Sequence, residues 1–352
     1  MATINDVCKT TGLSKATVSR VINGSGQVKA ATRERVVAAM KQLNYHPSSV
    51  AQALATNISN SIGLILPQFQ SNYFGSILYH AEQSAQTANK KLLVVNSKNS
   101  AQGETEAVET LIFQRCDAIL LYSRHLNEEA LVKLQQQANV PLIVLNRQLN
   151  SATVSSFGFE QVQLATIAVD HLIQLGHRNI ACITSPLDSE TGRLRYQAYQ
   201  DALTKHDITV NKHLVTQGEN TLETGYRATQ QLLQNLGHQT AHSCPFSALF
   251  ACNDDMAIGA IRALHDAGLK VPHDVSVIGI DNEPAAAYAL PSLSSVSLPI
   301  HSLTIDAMNL AIKQIPTMNN TVATHKNYQG SLVSRESCTK FHSVNTSFAT
   351  RM

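Results

Sequence analysis

Short apolar runs recur along the chain from residue 62 onward, and they constrain the fold more than any other feature. The runs are rich in Val, Ile and Leu, and stretches with helical periodicity lie between them. The runs are Ile62–Leu66, Leu92–Asn96, Ala118–Tyr122, Leu142–Leu145, Ile180–Thr184, Ala248–Ala251 and Val275–Ile280. Strands that are apolar on both faces and alternate with helices predict parallel sheets covered by helices on both sides.

The number of these strand–helix units predicts two sheets rather than one. There are too many units for one sheet with one crevice, and Thr153–Gly158 interrupts the alternation. We therefore predict an α/β core of two doubly wound parallel-sheet subdomains of similar size. Ligands of such sheets bind beyond the carboxyl ends of the strands, so the two subdomains should enclose a cleft between them.

A different pattern occupies the first residues and predicts two short helices joined by a tight turn. Thr3 and Ser14 can cap the two helices, and Gly12 permits the reversal between them. On the second helix Val18, Val21 and Ile22 should point inward, which leaves a slim, polar and basic outer face. Such a helix can enter the major groove of DNA, although an amphipathic hairpin with a solvated polar face remains the alternative.

Charge is distributed unevenly along the 352 residues. Residues 1–56 contain seven Lys and Arg but two acidic residues, a net charge of +5, whereas the rest has 20 basic and 23 acidic residues, or −3. A basic head on a slightly acidic body indicates that only the head meets phosphate. The six cysteines lack CxxC spacing and no apolar run could span a bilayer, so we expect free thiols in a cytoplasmic protein.

The sequence of the head also resembles a known family. Ala16–Asn23 reads ATVSRVIN after Gly12-Leu13-Ser14, and Leu43–Pro47 reads LNYHP. This stretch is similar to the headpiece of the lactose/galactose repressor family. The resemblance implies a three-helix helix-turn-helix headpiece over residues 1–47 in which several side chains meet DNA. Base edges would be read by Lys15, Ala16 and Arg20, and the other DNA contacts would be Thr3, Ser14, Thr17, Ser19, Asn23 and His46.

Residues 48–61 follow the head as a short segment of helix-forming residues and a linker. A helix of this length is unstable by itself, so a plain flexible linker is one interpretation. The resemblance implies instead a hinge helix that folds on DNA, pairs with its twin in a dimer and wedges Leu54 into the minor groove.

The resemblance continues through the core, where Ala251–Ala260 and Val275–Asp281 look like the family. It implies a core over residues 62–338 similar to periplasmic sugar-binding proteins, with three crossovers near residues 158, 288 and 322. One subdomain would hold residues 62–157 and 289–320, and the other residues 158–288 and 321–338. The polar tail, residues 339–352, lacks leucine heptads, so we expect a homodimer. Phe74–Leu78 and Ile300–Ile315 are candidate interface surfaces that could equally be core.

Six residues are candidates to contact an effector. Arg195 matches the cleft arginine of the family, and its guanidinium could bind paired hydroxyls or a carboxylate. Asp281, Asn253 and Arg147 end or follow strands, although Asp281 could cap a turn and Arg147 could pair between subdomains. Tyr73 and Phe74 open the first core helix and could cover an apolar ring, or Phe74 could be half core.

Asn220 departs from the family, whose sugar-binding members usually carry an aromatic ring there. Either Tyr73 stacks on the effector instead, or the effector is not a simple pyranoside. The sequence has no Walker loop, no GxGxxG after a strand, no GxSxG elbow and no metal-ligand spacing among its fourteen histidines. We therefore expect no cofactor and no metal, which weighs against an enzyme.

Together these features predict a repressor that binds operator DNA as a homodimer and is controlled by a sugar or sugar phosphate. A transcriptional activator and, less well supported, a sugar-acting enzyme are the alternatives.

Overall fold

The computed structural model describes residues 2–47, 58–237, 244–315 and 322–341. The predicted hinge helix with Leu54 and the tail beyond residue 341 lie outside these ranges. The described chain forms a small helical head followed by two α/β subdomains.

The head consists of three helices, which confirms the predicted architecture. They are α1 (Ile4–Thr11), α2 (Lys15–Asn23) and α3 (Ala30–Gln42). The backbone N–H of Thr3 donates to the Asp6 carboxylate over 2.9 Å at the start of α1. Gly12 ends that helix in the left-handed region, with φ of 62°. Because L-residues rarely adopt this conformation, the glycine makes the reversal into α2 possible.

A small apolar core holds the three helices together. It contains Val7, Val18, Val21, Val36 and Ala39, with Val28 and Tyr45 packed against it. The helical spacing predicts Val36, Val37, Met40 and Leu43 as the inner face of α3, but Val37 is 54% exposed and Ala39 is buried instead. The buried residues Val36 and Ala39 are three residues apart and therefore share one face of the helix.

Replacing the N-cap of α2 tests how much local chemistry supports this head. The Ser14 hydroxyl accepts from the Thr17 backbone N–H over 3.2 Å. We expect Ser14→Ala to destabilise α2 by about 1 kcal/mol, because an orphan N–H then lacks its partner. Hydrogen exchange of the α2 amides in the DNA-free chain would measure this. Ser25→Ala in the exposed loop serves as control, and unaltered protection in Ser14→Ala would contradict the capping role.

The first subdomain is a six-stranded parallel sheet with helices on its faces. Its strands occur in the order β11-β5-β4-β3-β1-β2, where β11 (His325–Tyr328) comes from the last part of the core. The elements are β1 (Ser61–Leu66), α4 (Asn72–Thr87), β2 (Lys91–Asn96), α5 (Ala101–Phe113), β3 (Ala118–Tyr122), α6 (Glu128–Ala138), β4 (Leu142–Leu145) and β5 (Ser155–Phe159).

The second subdomain repeats the same plan in the order β12-β10-β9-β8-β6-β7. Its strands are parallel except β12, which runs antiparallel to β10. The elements are α7 (Gln161–Gln174), β6 (Ile180–Thr184), α8 (Glu190–Lys205), a 3-10 turn (Lys212–Leu214), β7 (Val215–Gln217), α9 (Leu222–Asn235), β8 (Ala248–Ala251), α10 (Asp254–Asp266), β9 (Ser276–Asp281), α11 (Pro284–Tyr288) and β10 (Ser294–Ser297).

The chain then returns to the first subdomain and crosses back. These last elements are α12 (Ile300–Gln314), β11 (His325–Tyr328) and β12 (Ser331–Val333). All seven apolar runs form strands, and both sheets are doubly wound as predicted. Thr153–Gly158, which interrupts the alternation in sequence, contributes most of β5.

Two predicted crossovers are wrong by several residues. The second lies between Ser297 and Ile300 instead of near 288, because β10 pairs with β9 in the second sheet. The third lies between Tyr328 and Ser331 instead of near 322, because β11 pairs with β5 in the first sheet. Both strands are short and polar, so the sequence pattern gave no sign of them. The first crossover follows Phe159, close to the expected position.

The candidate interface surfaces on α4 and α12 are largely core. Phe74 and Ile77 are buried, and so are Leu303, Ala307 and Met308 on the facing helix. None of the described helices is long and apolar enough to cross a bilayer.

In both sheets the strand order reverses beside the first strand, at β1/β3 and at β6/β8. Crevices at such switch points bind ligands, and here the two crevices face each other.

Candidate functional sites

The outer face of α2 is the first candidate site. Lys15, Ala16 and Arg20 are exposed there, whereas Val18 and Val21 on the opposite face are buried. The Asn23 side chain donates to the Ser19 hydroxyl over 3.2 Å, which fixes two further polar groups beside Arg20. The head thus presents a helix with small side chains and two cations on a rigid support, as readout of base edges in the major groove requires.

The remaining residues expected to contact DNA lie around this face. Thr3 and His46 are exposed, and the His46 Nε2 lies 3.1 Å from the Asn44 side-chain oxygen. The hydroxyls of Ser14 and Thr17 lie 2.9 Å apart at the amino end of α2. A helix amino terminus that carries exposed hydroxyl groups suits a phosphate oxygen. The structure therefore leaves Thr3, Ser14 and His46 exposed, with Thr17 beside Ser14 at the amino end of α2.

The second candidate site is a cavity of about 190 Å³ between the two subdomains. It lies where both switch points meet, as the sheet topology requires. The first subdomain contributes side chains from the start of α4 and from the ends of β3 and β4. The second contributes side chains from α8 and from the ends of β6, β8 and β9. Among the lining residues are Tyr73, Phe74, Tyr122, Arg124, Asn146, Ser185, Arg195, Asn220, Asn253 and Asp281.

Arg195 on α8 is the central charged group of this cavity and is only 5% exposed. Its Nε donates to the Gln161 side-chain oxygen over 2.8 Å, and a terminal nitrogen donates to the Cys252 carbonyl. Its other terminal nitrogen lies 3.9 Å from the Asp281 carboxylate. Because two of its nitrogens are held by the protein, the guanidinium is fixed in orientation and keeps donor capacity toward the cavity.

Asp281 ends β9 and is 8% exposed, with a positive φ of 119°. Burial raises the pKa of its carboxyl group well above the usual range, and the positive charge of Arg195 opposes this only in part. Asn253 caps α10, since its side-chain oxygen accepts from the Met256 N–H over 3.0 Å. A buried carboxylate beside a fixed guanidinium can bind neighbouring hydroxyls as acceptor and donor together.

Three aromatic rings from the first subdomain form one wall of the cavity. Tyr73, Phe74 and Tyr122 pack edge to face, with centroids 5.0–6.0 Å apart. The Arg124 guanidinium lies over the rings of both Phe74 and Tyr122, at 5.5 Å from each centroid. This wall stands opposite the polar residues of the second subdomain and supplies the apolar surface that a sugar ring or a heterocycle needs.

Asn220 lines the same cavity from the opposite side. It has a positive φ of 60°, accepts from the Ser185 hydroxyl, and its carbonyl accepts from the Asn253 side chain over 3.3 Å. The polar network therefore fills the place where the resemblance implies a stacking ring, and the aromatic surface lies on the other subdomain.

Arg147 is the one proposed effector contact that lies outside this cavity. Its guanidinium donates to the Leu126 carbonyl and lies 3.2 Å from the Glu190 carboxylate of the other subdomain. This is the inter-subdomain pair considered as its alternative. Its neighbour Asn146 lines the cavity instead, because the chain turns at a positive φ of 78° there.

Sequence reasoning missed several lining residues that one rule would have found. Arg124, Asn146 and Ser185 follow β3, β4 and β6 directly or nearly so. Polar residues after parallel strands converge on the crevice at the switch point, which is the argument that identified Asn253 and Asp281. The sequence predicts Tyr122 only as part of a strand, but Tyr122 is the last residue of β3 and its side chain lines the cavity.

A buried acidic group supports the loop that follows β9. Asp254 accepts from the Glu283 backbone N–H over 2.9 Å and from the Ser295 hydroxyl over 2.6 Å. Burial is the main reason that the pKa of Asp254 is raised to about 7, and the pKa of Glu283 is also raised to about 7. These contacts fix the backbone immediately beyond Asp281, so Asp254 acts on the cavity by positioning rather than by contact.

Within the described ranges no group of three or more His, Cys, Asp or Glu side chains is arranged to hold a metal ion. All six cysteines are free thiols. His177 is 2% exposed, and its ring nitrogens contact the Ser247 hydroxyl and the Thr339 carbonyl. It therefore connects Thr339 to the segment that precedes β8.

Comparison with known proteins identifies the family. Residues 3–48 match the profile of bacterial regulatory proteins of the lacI family, and residues 169–338 match a periplasmic binding protein-like domain. The transcriptional regulator AscG of Escherichia coli K12 is 36% identical over 339 residues, or 96% of this chain and 98% of AscG. The chain belongs to the LacI family of bacterial regulatory proteins.

Solved structures agree with this assignment. The lac repressor dimer bound to operator and the anti-inducer ONPF superposes with a TM-score of 0.83, at 28% identity, covering 96% of this chain and 99% of that chain. A complex of the regulator CelR with cellobiose has a TM-score of 0.70 at 28% identity, covering 96% of this chain and 100% of that chain. These relatives are transcriptional regulators.

Proposed function

We propose that this protein is an operator-binding transcriptional repressor controlled by a small polyhydroxylated effector. The observation that supports this proposal most strongly is the combination of two sites in one chain. The head exposes Lys15, Ala16 and Arg20, and the cavity between the subdomains contains a fixed Arg195 and a buried Asp281. The first arrangement suits base edges and the second suits neighbouring hydroxyls. The lac repressor relative is bound to operator and the CelR relative to cellobiose, which supports both parts.

The effector is best described as a sugar or sugar phosphate. Donors and acceptors alternate in the cavity, and one aromatic wall faces them, which matches a ring with polar edges and an apolar face. Effector binding would favour one arrangement of the two subdomains. By linkage, the effector and operator DNA must then change each other's affinity by the same factor.

The protein is proposed to act as a homodimer in the cytoplasm, with one head on each half-site of a roughly palindromic operator. The hinge helix and linker at residues 48–61, with Leu54 in the central minor groove, remain a proposal, because residues 48–57 lie outside the described ranges. The proposal includes no enzymatic turnover, and activation in place of repression is the alternative within the family.

Replacing Arg20 tests the DNA-reading role of α2. We expect Arg20→Ala to weaken binding to the specific operator by about 10–100-fold, because a bidentate contact to guanine contributes about 1–3 kcal/mol of discrimination. The operator would be selected from a random duplex library and confirmed on fragments from the gene's own neighbourhood. Affinity would be measured by gel shift at fixed salt, since salt alters the phosphate contribution.

Arg33→Ala is the matched control, because Arg33 is an exposed cation on α3 outside the proposed reading face. It should reduce operator and random-duplex binding by similar small factors. Effector binding should be unaltered in both variants. An Arg20→Ala protein that keeps its preference for the operator over random duplex would contradict the proposed reading face, and failure of the unmutated protein to select any duplex would contradict the DNA-binding function.

A further inference from the structure

A second cavity of about 220 Å³ adjoins the first on the side of the crossovers. Four residues line both cavities, namely Arg124, Asn146, Ser189 and Thr191. The second cavity extends from there toward β5, α7 and α8, where the first crossover occurs. It is therefore a continuation of the inter-subdomain cleft rather than an isolated packing defect.

Unsatisfied polar atoms are concentrated on its wall. Among the described residues, eight buried side-chain N or O atoms have no hydrogen-bond partner, and four of them belong to residues lining this cavity. They are the donors Arg147 Nε and Gln161 Nε2 and the acceptors Asn327 Oδ1 and Glu190 Oε2, although the last of these lies 3.2 Å from a terminal nitrogen of Arg147 in the ion pair between the subdomains. Gln161 itself is only 5% exposed. Because a buried polar group without a hydrogen-bond partner is unfavourable, such a wall favours an occupant with hydroxyl groups, which both donate and accept.

The rest of the wall indicates that this occupant is neutral and has an apolar face. Phe159, Leu194 and Val162 contribute apolar surface. The charged lining groups, Arg124 and Arg147 against Glu160 and Glu190, are balanced, and an anion would meet both carboxylates. A sugar ring has the required combination of hydroxyl edges and an apolar face.

The volumes support one ligand that spans both spaces. Typical ligand pockets enclose about 300–1,000 Å³. Each cavity alone is smaller than this range, at about 190 Å³ and about 220 Å³, whereas the two together fall within it.

We propose that the effector is a two-unit glycoside, with one ring between the aromatic wall and Arg195 and the second unit in the cavity lined by Gln161 and Leu194. This inference rests on the proposed function and specifies the effector class of the same cleft. The Arg147–Glu190 pair, which joins the two subdomains beside the second unit, is then positioned to respond to its presence.

Calorimetric titration of the full chain would test this proposal. The probes are glucose, galactose and their methyl glycosides, compared with cellobiose, gentiobiose, lactose and maltose. We expect at least one disaccharide to bind ten-fold or more tightly than either of its constituent monosaccharides and methyl glycosides, because the second unit satisfies the orphan donors and acceptors. This ratio is measured on the unmutated protein and does not depend on any variant folding.

Two variants would fill the second cavity without touching the first. Leu194→Trp adds bulk from α8, and Val162→Trp adds bulk from α7 at a position that is 44% exposed. Each should reduce the affinity for the disaccharide at least ten-fold while monosaccharide affinity stays within about two-fold. Gln197→Trp is the matched control, because it carries the same ring on the exposed face of α8.

The outcomes separate this inference from the proposed function. Equal binding of monosaccharide and disaccharide, or undiminished disaccharide binding in a folded filled variant, overturns the two-unit proposal and leaves a sugar-responsive regulator. Failure of every sugar to bind contradicts the proposed effector class itself, and the two-unit proposal with it.

Discussion

Arg195→Ala is expected to lower effector affinity by at least 100-fold while leaving operator binding in the absence of effector nearly unaltered. Arg195 is fixed by Gln161 and the Cys252 carbonyl, so its remaining donor capacity is already oriented toward the cavity. Charge-assisted hydrogen bonds from such a group contribute about 1.5–3 kcal/mol each, and the ligand would lose them without compensation. Operator release by effector should be lost in the same proportion.

The substitution also removes the only cation that the structure places beside the Asp281 carboxylate within the described residues. Loss of this positive charge should raise the pKa of the Asp281 carboxyl group further, because burial already raises it and Arg195 opposes that effect. Arg195→Lys should not restore binding, since an ammonium group cannot reproduce the planar fork that reaches Gln161 and the cavity together.

Arg193→Ala is the matched control, because Arg193 lies on the same helix and its exposed guanidinium donates to the Asp188 carbonyl. Calorimetric titration with the best-binding sugar and gel shifts with operator would measure both effects. Wild-type effector affinity in Arg195→Ala would show that Arg195 does not bind the effector. Loss of operator binding together with effector binding would argue against two separate sites.

The fold was predictable where burial dominates the sequence pattern. Strands such as Ile62–Leu66 and Ala118–Tyr122 are buried on both faces, so their composition alone identifies them. The strands that were missed are short and polar. In β10, Ser294 and Ser295 are buried because the Ser337 hydroxyl, the Arg335 carbonyl and Asp254 satisfy their polar atoms, and these partners come from distant parts of the chain. Local sequence carries no record of such partners.

The candidate sites were predictable to a different extent. The head could be expected in detail because capping, turn and buried face are local features of consecutive residues. In the cleft, the expectation that polar residues after parallel strands line the crevice correctly identified Asn253 and Asp281. It also selected Arg147, whereas the neighbouring Asn146 is the residue that lines the cavity. The difference is a single residue at a turn with positive φ, and such turns decide which neighbouring side chain enters a cavity. Choosing between them requires the three-dimensional structure.

A buried acid with a raised pKa, Glu283, contacts both subdomains. Glu283 belongs to the second subdomain, yet its carboxylate lies at the amino end of α4 beside Asn72 and Tyr73 of the first. The Asp254 carboxyl group accepts hydrogen bonds from the Glu283 backbone N–H and from the Ser295 hydroxyl on β10. The aromatic wall and the carboxylate side of the cleft therefore meet through a short chain of buried acids.

The contribution of Asp254 and Glu283 to the free energy of unfolding is accordingly expected to fall as the pH rises from about 4 to about 7, whereas the lowered pKa values of His171 and His177 contribute a slope of the opposite sign. In the folded protein the pKa of Asp254 is raised from 3.8 to about 7, so the folded state binds more protons than the unfolded state across this interval. Stability from this group is fully present below the unfolded pKa and is lost as the pH passes the folded pKa. A shift of this size corresponds to roughly 4 kcal/mol. Glu283, whose pKa is also raised to about 7, adds a slope of the same sign.

Asp254→Asn should remove much of this slope, because the amide cannot ionise and keeps the shape that the neighbouring groups require. Its oxygen can accept from the Glu283 N–H, and its NH₂ group can donate to the Ser295 hydroxyl. We therefore expect the variant to be at least as stable as the unmutated protein at pH 7.5 and close to it at pH 5, with a shallower slope that reflects Glu283. Urea unfolding from pH 4.5 to 8 would measure this. Asp201→Asn on the exposed face of α8 controls for the loss of one negative charge. A variant that is several kcal/mol less stable at pH 7.5 with an unaltered slope would show that Asp254 is ionised and stabilising in the native state. The pH dependence of the free energy of unfolding would then be due to Glu283 and Asp281.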